Sequence, residues 1–200
     1  VRASFIIALP GETPELAMVF NGCIYNNGQL RKELSSLGAV FASDHSDTET
    51  LFRAFQQWGE DVPSHIDGMY AVAFWDRRTM QLTFMRDPYG QKPLYILDLG
   101  EAGDGCAFCS NPAPLQKIAN ELGINRVSTS ALQRYLQLGY LTANDTLLEP
   151  VKCTRLSSHL LQPTNESIEG AIRGSVIEHL EADVPLGCFL SGGVDSSLVA

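Results

Sequence analysis

Close to the end of the chain, Ser191-Gly192-Gly193-Val194-Asp195-Ser196-Ser197 follows an apolar run from Val184 to Leu190. Adjacent glycines after a strand let the backbone turn tightly, with its N–H groups converging on one point. Ser196 and Ser197 add hydroxyl donors, and a helix starting near Asp195 would turn its positive end to the same point. Phosphate oxygens satisfy all of these donors together. A glycine pair alone reads better as a turn with Asp195 or Ser196 as a helix cap. The full string behind an apolar strand favours the phosphate reading.

A second pair, Asn21-Gly22, favours a sharp backbone turn at the end of the short apolar run from Leu16 to Phe20. The cysteines offer less. Cys23, Cys106, Cys109, Cys153 and Cys188 make an odd count of 5 without a signal-peptide pattern, which favours reduced thiols in a cytosolic setting. Cys106 and Cys109 form a lone C-x-x-C that neither a second pair nor a nearby histidine completes, so no metal site is expected there.

The elements that must position these residues are legible from periodicity. Leu30, Leu34 and Leu37 follow helical spacing from Asn27, with Gly38 placed to stop the helix. Ser46-Asp47-Thr48-Glu49 has capping-box spacing, and Leu51, Phe52, Phe55 and Trp58 carry an amphipathic stripe to Gly59. Met69 to Asp76, Gln81 to Asp87, Pro93 to Leu99 and Cys106 to Ser110 read as strands in meander order. Hairpin-linked strands bracketed by helices predict an α+β layered domain whose sheet is mostly antiparallel.

Ala131, Leu132, Tyr135 and Leu136 mark another helix over 130–138, followed by loops and short strands at 142–146 and 150–158. From Glu166 to Glu181, Ile168, Ala171, Ile172, Val176 and Leu180 line one helix face, and Val184 to Leu190 follows as a buried strand. Helix, strand, glycine loop and helix in that order predict a second domain, of α/β type. Pro163, Thr164 and Asn165 interrupt both periodicities, which places the domains at 1–162 and 163–200.

With 200 residues, 44% hydrophobic and 18% charged, the chain can bury one large or two small cores. Its 14 basic residues are scattered and outnumbered by 23 acidic ones, which argues against nucleic acid and anionic membranes as partners. No apolar run approaches a bilayer span. The chain starts at Val1 and stops at Ala200 within an expected helix, so both ends read as cut.

Two strings narrow the reading. Asn21-Gly22-Cys23-Ile24-Tyr25-Asn26 and Arg86-Asp87-Pro88-Tyr89-Gly90-Gln91-Lys92-Pro93-Leu94-Tyr95 resemble the N-G-E-I-Y-N and R-D-x-F/Y-G-x-K-P-L-Y signatures of the glutamine-hydrolysing asparagine synthetase family. Asp67-Gly68-Met69-Tyr70-Ala71 and Phe74-Trp75-Asp76 are similar to the family's intervening G-M-F-A-x-A-x-W-D strand. Ser191 to Ser197 departs from the Walker pattern and resembles the S-G-G-x-D-S loop of the ATP pyrophosphatase superfamily. The motifs arrive in the family's order and cover nearly all of the chain.

This resemblance implies an α+β, layered, N-terminal-nucleophile-hydrolase-like class II glutamine amidotransferase domain, followed by the start of an α/β ATP pyrophosphatase domain. It implies a ligase in which ammonia from glutamine attacks an adenylylated carboxylate, aspartate before others, giving asparagine, AMP and pyrophosphate. ATP and Mg2+ would be required, the partners would be small-molecule substrates, the setting would be cytoplasmic, and a homodimer is admitted.

Amide hydrolysis passes through a tetrahedral oxyanion, for which the Asn21 side-chain amide and the Gly22 N–H would be donors. A tight turn is the better reading of an isolated pair, and the family context reverses it. Arg2 would pair with the α-carboxylate of glutamine and Asp47 would accept from its α-ammonium. Arg2 reads equally as a solvated terminal side chain, and Asp47 as a first-turn acid favourable to the helix dipole. Leu190 would lie beside the nucleotide, while Ser191, Gly192, Gly193, Ser196 and Ser197 would grip pyrophosphate and Asp195 would organise magnesium or the loop. Arg86, Asp87, Lys92 and Tyr95 are assigned to holding their turn and not to catalysis.

The chain departs from the pattern at Cys23, where the family motif has glutamate; one acceptor for the substrate ammonium is missing, and glutamine binding would be weaker. Cys23 is a poor replacement nucleophile, because this class uses an N-terminal cysteine whose own α-amino group acts as base. That residue would lie upstream of Val1, so the polypeptide as written is not expected to hydrolyse glutamine. Two other readings stay open. One is a related ATP-dependent amide or β-lactam-type synthetase with an inactive glutaminase domain, which Cys23 favours; the other is a truncated, non-catalytic interaction module.

Overall fold

Two long strands with nearly continuous apolar runs, Leu16 to Phe20 and Met69 to Trp75, build the first layer of the computed structural model, which describes residues 4–6, 15–99, 105–142, 145–153, 167–180 and 185–199. β2 (Leu16–Ile24) and β3 (Gly68–Asp76) pair antiparallel along their whole length, from Leu16 opposite Asp76 to Ile24 opposite Gly68. β1 (Ser4–Ile6) flanks β2 and β4 (Gln81–Arg86) flanks β3, giving the sheet order β1-β2-β3-β4.

Side chains on successive strand residues point to opposite faces, so Met18, Phe20 and Ile24 share a face with Tyr70, Val72 and Phe74. Against that face lie α1 (Asn27–Ser36) and α2 (Asp47–Trp58), with Leu30, Leu34, Leu51 and Phe52 completing a buried core. Each such side chain contributes about 1.5–3 kcal/mol on burial. Gly38, at φ +97°, follows the end of α1, and Ser46 caps α2 by accepting the Glu49 N–H.

The opposite face of this sheet meets a second one, in which β5 (Tyr95–Asp98) lies between β6 (Cys106–Cys109) and β7 (Val151–Cys153), all antiparallel. Phe84 meets the ring of Phe108 edge-on, Asn21 bonds Ser110, and Arg86 bonds Cys153 across the two layers. α3 (Pro112–Glu121) covers the far side, packing Leu115 and Ala119 on Leu97 and Val151. The layers run helices, sheet, sheet, helix, an α+β arrangement with antiparallel sheets as expected. α4 (Thr129–Leu138) starts at the Ser128 cap and ends on Gly139 at φ +77°.

Three expectations are corrected. The four late strands do not form one meander, because the tightly bonded turn after β4 carries the chain into the second sheet. The turn expected at Asn21-Gly22 is absent: β2 continues to Ile24 and the chain turns at Tyr25-Asn26. Glycine serves close strand approach here, since a Cβ on Gly22 would strike the Met69 carbonyl and lie 2.8 Å from Tyr70 Cα.

The third correction concerns 185–190, expected within a buried strand. These residues carry no strand pairing, Phe189 is 98% exposed and Leu190 is 63% exposed. A buried strand needs neighbours to take its ladder bonds, and no described strand pairs with this segment. α5 (Ile168–Glu178) forms as expected under a Ser167 cap, but none of its residues is buried. The domain boundary after residue 162, the segment 154–158 and Arg2 lie outside the described residues.

Candidate functional site

Hydrogen-bond parity along β2 sets which way its backbone groups point. Tyr70 spends its N–H on the Asp87 carboxylate, at 3.3 Å, and its carbonyl on the Asp87 N–H, at 2.9 Å, so both groups face β4. Its partner Gly22 therefore sits in a non-hydrogen-bonded pair, with its own N–H and carbonyl turned away from β3 toward the β1 side. The same parity turns the Ile24 N–H that way, and there it meets the Asp47 carboxylate at 3.2 Å. The Gly22 and Ile24 N–H groups thus point from one strand edge about 7 Å apart, and Asp47 stands at the second of them.

The Asn21 side chain stands on the face turned to the second sheet, half-buried, and its Nδ2 donates to Ser110 Oγ at 3.1 Å. Gly22 offers a donor in the plane of the sheet and Asn21 one from its face. Cys23 follows on the Asn21 face, two positions along the strand.

Asp47 is aimed by the loop before α2. Glu49 is buried, and its carboxylate leaves the capping-box geometry to accept the N–H groups of Ala42 at 2.6 Å and Ser43 at 2.8 Å, together with the Ser43 hydroxyl. Burial pushes this carboxyl up, but the Ser43 and Ala42 donors and the nearby Arg31 charge outweigh it and hold the carboxyl below its ordinary range. Arg31 reaches the same loop, donating to Ser46 O at 3.3 Å, to Ser43 O and to Thr50 Oγ1 at 3.1 Å.

Asp87, fully buried, organises the turn between the sheets: its carboxylate accepts from the N–H groups of Tyr70, Tyr89, Gln91 and Lys92. Arg86 donates to the carbonyls of Lys92 at 2.7 Å and Gly90 at 2.9 Å. These contacts are to backbone, which is the turn-holding role assigned to the pair.

In the serine and glycine run, Gly192 is left-handed at φ +78° and α6 (Val194–Val199) begins directly after Gly193. Ser191 Oγ and Ser196 Oγ lie 2.9 Å apart, and the Ser196 and Ser197 hydroxyls both donate to Gly193 O, at 3.1 and 2.8 Å. The run is exposed apart from half-buried Ser196. Leu190 precedes it as an exposed residue, not at a strand end.

Comparison with known proteins supplies the family. Residues 9–169 match the glutamine amidotransferase domain and residues 167–200 match asparagine synthase. This chain belongs to the glutamine amidotransferase domain family. A Mycobacterium tuberculosis protein with a provisional name of glutamine-hydrolyzing asparagine synthetase is 35% identical over 222 aligned residues, covering 96% of this chain and 33% of that protein. Glutamine-hydrolyzing asparagine synthetase 1 of Bacillus subtilis is 32% identical over 206 residues, covering 91% and 32%. The chain spans about a third of the length of the curated relatives it matches. The solved glutamine phosphoribosylpyrophosphate amidotransferase of B. subtilis, complexed with ADP and GMP, aligns at 24% identity and TM-score 0.45 over 62% of this chain and 26% of its own.

Within the amidotransferase domain, sequence reasoning missed Ser110, whose partner Asn21 is 89 positions away, and α3. Asn111-Pro112 was a usable signal for the helix, as cap and first-turn proline. It also missed Tyr25, whose ring lies 4.2 Å from that of His179 beyond α5. Burial, then the neighbouring Cys23, Asp67, Asp87 and Glu178, push the Tyr25 phenol up.

Proposed function

We propose that this chain carries the glutamine-binding half and the first phosphate-gripping loop of a glutamine-hydrolysing asparagine synthetase, divided after residue 162. The carrying observation is the shared edge of β2, where the Gly22 N–H faces the same way as the Ile24 N–H that holds the Asp47 carboxylate, two residues or about 7 Å along the strand. Glutamine laid along that edge would present its carboxamide to Gly22 and Asn21 and its α-ammonium to Asp47. Arg2 is assigned to the α-carboxylate on the resemblance alone.

In the proposed reaction a thiol attacks the carboxamide carbon, and the oxygen takes the electron pair of its broken π bond. The Gly22 N–H and the second Asn21 N–H stabilise that oxyanion, which re-forms its C=O bond as the C–N bond breaks and the proton given up by the thiol passes to the leaving nitrogen, releasing ammonia. Water releases glutamate from the thioester, and ammonia displaces AMP from an aspartyl adenylate. Cys23, where the family has glutamate, leaves Asp47 as the carboxylate facing the ammonium.

ATP enters as a substrate: the carboxylate attacks its α-phosphorus and takes the adenylyl group, and pyrophosphate leaves. The residues of the loop fit a phosphate, with an exposed left-handed glycine and Ser191, Ser196 and Ser197 close together, once the Ser196 and Ser197 hydroxyls turn to it from the Gly193 carbonyl they serve here. Asp195 is the one carboxylate between Ser191 and Ser197, and no cluster of three metal-binding side chains stands among the described residues. On the resemblance, Mg2+ would accompany the ATP phosphates, with Asp195 adding an oxygen or organising the loop. The odd number of cysteines supports a reducing, cytoplasmic setting.

The test is asparagine and AMP formation by the full-length protein from aspartate and ATP, with glutamine or ammonia as nitrogen source. Activity with both is expected. Activity with ammonia and none with glutamine would remove the glutaminase reading and leave the synthetase one.

A further inference from the structure

Asparagine is an uncertain oxyanion donor unless its amide is held. The terminal torsion of the side chain is broad and nearly two-fold, and a half-turn replaces the N–H donors with a carbonyl oxygen that repels the developing negative charge. In this chain the Asn21 amide has a fixed partner: Nδ2 donates to Ser110 Oγ at 3.1 Å. The two hydrogens of a primary amide share one plane at a set angle, so engaging one directs the other.

Ser110 is itself anchored on both sides. Cys109, before it, is the last residue of β6 and pairs with Tyr95; Asn111, after it, is the cap of α3 and accepts the Ala113 N–H at 2.9 Å. The hydroxyl thus sits at a strand-to-helix junction in the second sheet and reaches across to the middle of β2 in the first. Both side chains are half-buried, which limits competition from water for the bond.

We infer that Ser110 is a positioning residue for glutamine hydrolysis, holding one N–H of Asn21 so that the other faces the oxyanion beside the Gly22 N–H. This rests on the amidotransferase reading above. Ser110 acts through Asn21, so its loss weakens transition-state stabilisation and leaves ground-state glutamine binding to Asp47 unchanged.

The experiment compares wild type, Ser110→Ala, Ser110→Thr and Ser110→Cys in the full-length protein, following glutamine hydrolysis and ammonia-driven asparagine formation. Deleting an oxyanion donor outright costs about 100- to 1000-fold in kcat, and loosening one is expected to cost about 10- to 100-fold. Ser110→Ala is expected to show that fall with the KM for glutamine within about twofold of wild type. Ser110→Thr keeps the hydroxyl and is expected to restore kcat, while Ser110→Cys, with its poorer acceptor, falls between. Ammonia-driven synthesis is expected to be unchanged, which separates the effect from misfolding. In an Asn21→Ala background, Ser110→Ala is expected to add no further loss.

If wild type hydrolyses glutamine and Ser110→Ala keeps its kcat, or if the two substitutions act independently, Ser110 has no positioning role and the family reading survives. If wild type does not hydrolyse glutamine, both fall together. Should Ser110→Ala fail to fold, the kcat of Ser110→Cys against that of Ser110→Thr decides between the same two outcomes.

Discussion

The Asp47 carboxylate accepts the Ile24 N–H at 3.2 Å, fastening the first turn of α2 to the edge of β2. Its other oxygen accepts the Thr48 hydroxyl at 3.3 Å, yet the side chain is only half-buried and each oxygen keeps a second lone pair for a cation. Asp47→Asn can retain the bond to Ile24 through its amide oxygen while removing the charge. A charge-assisted hydrogen bond is worth about 1.5–3 kcal/mol, so the KM for glutamine is expected to rise about 10- to 100-fold with folding stability little changed. Steady-state kinetics beside thermal melting checks this; an unchanged KM would take Asp47 out of the glutamine site.

Gly22 is fixed by its neighbours before any chemistry. Its missing Cβ would meet backbone, with Tyr70 Cα at 2.8 Å, as well as the Phe20 ring at 2.9 Å. Backbone in a paired strand cannot swing aside like the end of a side chain. Gly22→Ala is expected to lower stability by at least the ~1–3 kcal/mol of ordinary overpacking, read as a lower denaturant midpoint at unchanged slope. Full stability in the variant would show that β2 and β3 are not so closely apposed at this pair.

How much of this was legible in advance divides along physical lines. Helix ends rest on local signals, so the Ser46 cap and the stop at Gly38 could be read from neighbouring residues. The split of the strands into two sheets could not, because it depends on how Asp87 folds the turn after β4 back on Tyr70. Asn21-Gly22 misled for a related reason: the pair has turn chemistry, but the demand for glycine comes from Tyr70 on a strand far along the chain. Candidate residues Asn21, Gly22 and Asp47 came from motif order, and only the pairing register put the Gly22 and Asp47 groups on one edge. Val184 to Leu190 has the composition of a buried strand, but a strand is made by its partners, and 185–190 has none among the described residues.

Glu49 sets a pH dependence whose sign follows from its surroundings. Burial raises its pKa, but the Ser43 and Ala42 donors and Arg31 lower it further, so the folded value lies below the unfolded one. Such a group contributes stability that is fully present above the unfolded value, about pH 4.3, and is lost as pH falls through the folded value. Glu49→Gln removes the charge and turns an amide toward donors at Ala42 and Ser43. The variant is expected to be about 1–3 kcal/mol less stable near neutrality, with the gap closing below about pH 4. Chemical denaturation across that range measures it; a gap that does not narrow in acid would show that the carboxylate's charge is not what holds the loop.

Gly193 offers the sharpest test of the phosphate reading, because the fold itself does not require it. Its φ is not left-handed, and an added Cβ would meet Ser191 Oγ at 3.6 Å and Ser196 Oγ at 3.9 Å, ordinary contact distances. Gly192 differs, since its φ of +78° would cost a side-chain-bearing residue about 1–2 kcal/mol. If the run grips pyrophosphate, the methyl of Gly193→Ala occupies space that phosphate oxygens need against the backbone. The variant is expected to melt with wild type while its KM for ATP in aspartate-dependent pyrophosphate exchange rises tenfold or more, a difference of about 1.4 kcal/mol. Glutamine hydrolysis in the absence of ATP should be untouched, since Gly22 and Asp47 lie in the stretch that matches the amidotransferase domain and Gly193 in the stretch that matches asparagine synthase. Normal ATP use by Gly193→Ala would leave Ser191 to Ser197 as a capped turn whose Ser196 and Ser197 hydroxyls serve the Gly193 carbonyl.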